Sequence, residues 1–160
     1  MPSASDYDSY LAARAAALIR ENFSERGVTN LLVVQWGGNW RTTLGHIKPL
    51  EKNTSYGSVI ELNSLLKSVE VPEYVVDAVL MHELTHYFQG FGSNHERKHR
   101  HPHKGGVVDK ELARLGWEEI QQKSDKWLKE NWKHIIMQAG LKRRAPNKIR
   151  KQRKFFWAPW

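Results

Sequence analysis

Residues 78–88, Ala-Val-Leu-Met-His-Glu-Leu-Thr-His-Tyr-Phe, constrain the chain more than any other stretch. Val75, Val76, Val79, Leu80, Leu84 and Phe88 recur at helical spacing, so the segment reads as a helix with a broad buried side, opened by Pro72 and closed near Gly90. Four residues is about one helical turn, which stacks His82 over His86 and lets both imidazoles converge on one tetrahedral cation such as zinc. Glu83 follows the first histidine at once. A carboxylate there sits beside the ion rather than on it, placed to take a proton from bound water. The bland alternative is two helical histidines with no metal. With eight histidines in 160 residues, the pattern arises by chance in about three of every hundred such sequences, treating positions as independent, so coincidence is the weaker explanation.

The length of 160 residues fits one domain with a core of its own, and no repeat is visible. With 40% apolar and 26% charged residues, the chain contains nothing near the roughly twenty consecutive apolar residues of a membrane helix, so no membrane partner is expected. The first residues lack a basic region followed by an apolar stretch, which predicts no secretory signal. Cysteine is absent. That excludes disulfides and thiolate ligands, is compatible with a cytoplasmic setting, and leaves histidine and carboxylate to hold any zinc.

The net charge of +8 is concentrated at one end. Lys142, Arg143, Arg144, Lys148, Arg150, Lys151, Arg153 and Lys154 are basic residues in a segment without an acid; without them 17 basic residues face 17 acidic ones. A neutral body with a basic arm favours a polyanion such as DNA as partner. Phe155, Phe156, Trp157 and Trp160 beside the arm could stack on unpaired bases or anchor the terminus in an apolar groove of the body.

In chain order, Tyr10 to Phe23 predicts a helix with Leu11, Ala15, Leu18 and Ile19 on its buried stripe. Residues 31–36 read as a strand, and 39–47, with Trp40, Thr42, Leu44 and His46 alternating against Arg41, Thr43 and Gly45, as a second. Gly37-Gly38 between them predicts a tight hairpin. Residues 58–63 read as a third strand, and Leu65, Leu66 and Val69 as a short turn or helix. Residues 92–106 form an irregular loop that holds His95, His99, His101 and His103. A helix returns over 107–115 and another over 117–139, with a weak point at Ser124 in the stripe of Ile120, Trp127, Leu128, Trp132, Ile135 and Ile136.

A hydrolytic zinc usually takes three protein ligands and leaves a fourth position open. Spacing offers His95, His99, His101, His103 and Glu111 as the third. The strand of residues 58–63, the 75–88 helix with His-Glu-Leu-Thr-His-Tyr, and Pro102-His103 followed by a helix ending in Leu115-Gly116 together resemble the SprT-like zinc metalloproteases, which include Spartan and other proteases that cut DNA–protein crosslinks. The resemblance spans residues 31–116. In that family the third ligand is a histidine just before the following helix, usually in His-Gly-x-x-Phe or a near variant, which maps to His103. Lys104 stands where the glycine usually does and Val107 in the large apolar position, and Glu111 and His101 are the alternatives to His103. The cysteine ribbon that often follows the family's domain is missing.

The resemblance implies an α+β, zincin-like domain over residues 1–140, a small three-stranded sheet packed on the motif helix with flanking helices, followed by the basic arm of residues 141–160. It also implies a Zn2+ cofactor and a protein or peptide substrate. The expected function is peptide hydrolysis by zinc-bound water with Glu83 as general base, on proteins associated with DNA. Two other readings remain: a nucleic-acid-binding protein on a zincin scaffold whose metal is structural or lost, and a latent protease blocked by its own arm. Oligomeric state is not legible.

Overall fold

The computed structural model describes residues 4–52 and 56–141. Its first helix, α1 (Ala4–Asn22), starts earlier than the predicted helix and buries Leu11, Ala15 and Leu18 along one stripe. Three strands follow, β1 (Leu31–Trp36), β2 (Gly45–Pro49) and β3 (Gly57–Leu62), then a 3-10 turn over Ser64–Lys67. The motif helix α2 (Glu73–Phe88), α3 (Val107–Arg114) and α4 (Glu118–Gln138) complete an α+β fold of four helices on one small mixed sheet.

The middle of this arrangement is α2. It touches α1, β2, β3, α3 and α4, and every residue from Val75 to Phe88 is buried. The sequence predicts one broad buried side; the structure buries the helix all round, as expected for a segment apolar on most faces. Ile47, Ile60 and Leu62 of the sheet and Leu128, Trp132 and Ile135 of α4 belong to the same core as the apolar residues of α2. Each side chain such as Leu80 or Leu84, neither exposed at all, contributes about 1.5–3 kcal/mol by leaving water. Truncation to alanine there costs about 2–5 kcal/mol, because the surroundings fill the cavity only in part. Polar ties fix the helix as well. Arg14 of α1 donates two hydrogen bonds to Asp77, at 2.7 and 2.6 Å, and Phe23 stacks on Phe88 with ring centres 4.3 Å apart.

The hairpin predicted between residues 31–36 and 39–47 does not form. The strand order is β1-β3-β2, with β1 parallel and β2 antiparallel to β3, so β1 and β2 lie at opposite edges. Gly37 and Gly38 make room for an aromatic ring, not for a two-residue turn: a Cβ on Gly37 would lie 2.2 Å from Trp40 Cη2. The buried amide of Asn63 then donates to the carbonyls of Trp40 (2.6 Å) and Thr43 (2.7 Å), which holds 40–43 in a bend and delays β2 until Gly45. The predicted break at Ser124 is also absent. Helix α4 runs through it, with Ser124 buried on its inner side. Leu65 and Leu66 enter the core, while Val69 is exposed.

Among the described residues no helix is long and apolar enough to cross a membrane. The basic arm from Lys142 to Lys154 and the aromatic residues after it lie outside the described residues.

Candidate metal centre

Helix geometry brings His82 and His86 together directly. Their Nε2 atoms are 3.1 Å apart, close to the roughly 3.3 Å that two nitrogens each about 2.0–2.1 Å from a tetrahedral ion would take. His103, in the loop before α3, completes the group. Its ring centre is 4.8 Å from that of His86 and 5.8 Å from that of His82, and the candidate ligand atoms of all three lie within 4.8 Å of one another. His82 and His86 are buried and His103 is exposed, so the cluster opens to solvent on the His103 side. Burial holds His82 well below the usual histidine range, helped by the charges of His86 and His103, and burial first, then His103, pulls His86 down to about 4. Neutral imidazoles are the form that ligates. A set of three imidazoles with one open side fits a divalent ion of the zinc type.

Glu83, the residue after His82 on α2, has its side chain against Gly45, the first residue of β2, next to Val79. Burial alone raises its carboxyl to about 8. Among the described residues it forms no hydrogen bond or ion pair.

What places His103 is a loop tied back to α2 at a few points. The Tyr87 carbonyl accepts from Ser93 Oγ (2.6 Å), and the Phe91 amide donates to the His86 carbonyl (3.0 Å). At Gly90, with φ at 83°, a Cβ would lie 2.6 Å from the Glu96 carbonyl, so only glycine lets the loop return. Gln89, buried at the end of α2, accepts at its backbone carbonyl from the Lys98 amide (3.0 Å) and donates from Nε2 to the Val107 carbonyl (3.1 Å). It joins the helix of His82 and His86 to the helix that follows His103. The Asp109 carboxyl, on the first turn of α3, is pushed up by burial while the charge of His103 opposes that.

The other residues that spacing offered are elsewhere. Glu111 pairs with Arg26 at 2.9 Å and Arg114 at 3.0 Å. His95 packs against the rings of Tyr87 and Phe88. His99 and His101 are outside the cluster. Gln89, Gly45 and Asp109 were not singled out by sequence reasoning. For Gln89 a signal existed, since it continues the face of His86 three residues on; for Gly45 the signal was an isolated glycine in an alternating strand, a mark of close backbone approach.

No protein-family model matches the chain, and neither curated proteins nor solved structures yield a match.

Proposed function

We propose that the protein is a zinc-dependent endopeptidase on a zincin-like scaffold of the SprT kind. The observation that carries the reading is the meeting of His82, His86 and His103, with the buried Glu83 following His82 on the same helix. When bound, a zinc ion in such a site acidifies a coordinated water to a pKa of about 7 and polarises a carbonyl. Glu83 takes a proton from the attacking water on its carboxylate. It delivers that proton to the leaving amide nitrogen, so that the peptide bond ends as a carboxylate and an amine. A carboxyl titrating near neutrality suits both halves of that task, and a neighbouring cation favours its charged form.

Strand β2 gives an extended substrate a place to lie. The Asn63 amide donates to the Leu44 carbonyl and the Leu50 amide to the Gly57 carbonyl, which turns alternate residues of β2 toward β3. By that alternation the N–H and C=O groups of Gly45 and Ile47 point off the free edge. Gly92 covers the Ile47 carbonyl, its α-carbon so close that a Cβ would lie 3.3 Å from that oxygen. Gly45, beside Glu83, is left to pair with a substrate backbone, a mode that tolerates many side chains. The basic residues 142–154 would bring the enzyme to proteins on DNA.

Glu83→Gln tests the chemistry: zinc should stay bound and cleavage of an unstructured protein such as casein should stop. Cleavage that survives the change overturns the reading. Removal of residues 142–160 should abolish salt-dependent binding to single-stranded DNA while casein cleavage continues. Loss of cleavage instead would favour a protein whose task is binding.

A further inference from the structure

We propose that Gly45 is a positioning residue whose bare α-carbon is the wall that aims the Glu83 carboxyl. The inference rests on the reading of Glu83 as general base. A carboxyl on a side chain with three rotatable bonds is normally fixed by hydrogen bonds, but Glu83 has no such partner among the described residues. What confines it is packing. A Cβ built on Gly45 would lie 3.0 Å from both Cγ and Oε1 of Glu83 and 3.1 Å from Cγ1 of Val79.

The backbone does not explain the glycine. Gly45 is not among the residues with positive φ, whereas Gly90, Gly105 and Gly106 are. A glycine at an ordinary strand position weakens the strand, because it has more freedom to lose on folding and no side chain to pack. Gly45 therefore retains a cost to stability for the sake of the space beside it.

Of the neighbours that a methyl group would meet, only one can move. Val79 is β-branched, buried and held to one rotamer on α2. The backbone of β2 is hydrogen-bonded to β3, and the residues just before it are pinned by Asn63. Glu83 is left to turn away, by a few tenths of an ångström at least, while its helix and the three histidines stay where they are. Proton transfer depends on such placement: a misplacement of 1 Å can cost roughly a hundredfold in rate. Zinc binding and substrate capture depend on it much less.

The experiment compares the full-length wild type, Gly45→Ala, Gly45→Val and Glu83→Gln for zinc content, thermal midpoint, and kcat and KM on casein. Gly45→Ala should keep stoichiometric zinc and an equal or higher midpoint, while kcat falls roughly tenfold and KM changes less than about twofold; Gly45→Val should lose more kcat. Wild-type kcat in Gly45→Ala beside an inactive Glu83→Gln overturns the positioning role and leaves the general base intact. A Gly45→Ala protein that unfolds, or that loses activity only in step with zinc, overturns it too, since the glycine is then structural. Cleavage by Glu83→Gln overturns the general-base reading and the inference with it.

Discussion

Helix α2 and the loop of residues 89–106 supply the same centre by opposite means. The helix has its candidate ligands inside the protein: each residue from Val75 to Phe88 is buried, and neighbouring helices and strands press on it from all sides. The loop carries Asn94, Glu96, Arg97, Lys98, Arg100, His101 and His103 on its exposed side and returns to α2 through a handful of hydrogen bonds. Two candidate ligands are thus fixed by the folding of the core, and the third by local ties that break at much lower cost. A site built this way has a rigid half that sets geometry and an adjustable half that faces solvent.

Removing ligands from each half should expose the difference most strongly. His86→Ala and His103→Ala should both lower zinc affinity by more than the roughly 10–100-fold that a lost supporting contact costs, read by competition with a chelator. The two part company in the metal-free protein as pH falls. Burial depresses His86 from 6.5 to about 4 and His82 in the same direction. The folded state then binds fewer protons than the unfolded one below pH 6.5, so stability that is present above 6.5 is lost between about 6.5 and 4. Each such histidine contributes a slope of up to about 1.4 kcal/mol per pH unit. Urea unfolding of the metal-free protein across that range should show His86→Ala with a shallower slope than wild type, and His103→Ala, which removes only the lesser cause of the helix histidines' depression, with a smaller change. Equal slopes in all three would mean that the helix histidines are not buried as described.

The same contrast explains what the sequence revealed. His82 and His86 meet because residues four apart on a helix must, a local rule that needs no knowledge of the fold. Spacing alone left five candidates for the third ligand, and only the family resemblance pointed to His103, since the path of the loop of residues 89–106 depends on anchors such as Gln89 and Gly90 that mean nothing until the helix end is in place. Glu111 was drawn away by Arg26, which lies far off in the chain. The missed strand pairing has the same origin. Two glycines between β-rich runs are a sound local signal for a hairpin, but Trp40 packing back on them and Asn63 reaching 23 residues along the chain decide the outcome. At Ser124, a polar residue in an apolar stripe signals a break only if it must reach water, and on α4 it is enclosed.

Gln89 is where rigid helix and adjustable loop join, and Gln89→Ala should give a smaller effect than loss of a ligand. Its side chain links the end of α2 to the Val107 carbonyl, so truncation frees the start of α3 and the histidine before it. Zinc affinity should fall roughly tenfold, within the range of supporting contacts, with about 0.5–1.5 kcal/mol of stability lost with the hydrogen bond. Unchanged affinity would show that the remaining ties place His103 unaided.

The smallest effect belongs to Glu111→Gln. Glu111 is paired with Arg26 and Arg114 on the outer side of α3, and its carboxyl is held below the ordinary range chiefly by the hydrogen bond from Arg114. Replacing it removes the charge of a partly exposed pair and keeps a hydrogen-bonding amide, so stability should fall by on the order of 0.5–1 kcal/mol at neutral pH. That deficit should shrink as pH drops below about 4.5, where the wild-type carboxyl also becomes neutral, because a depressed carboxylate stabilises only while it is ionised. Zinc affinity should not change. A fall in affinity of tenfold or more would mean that the exposed half of the site rearranges when metal enters, with α3 turning Glu111 from Arg26 toward the ion, and the adjustable half would then extend beyond the loop into the helix that follows it.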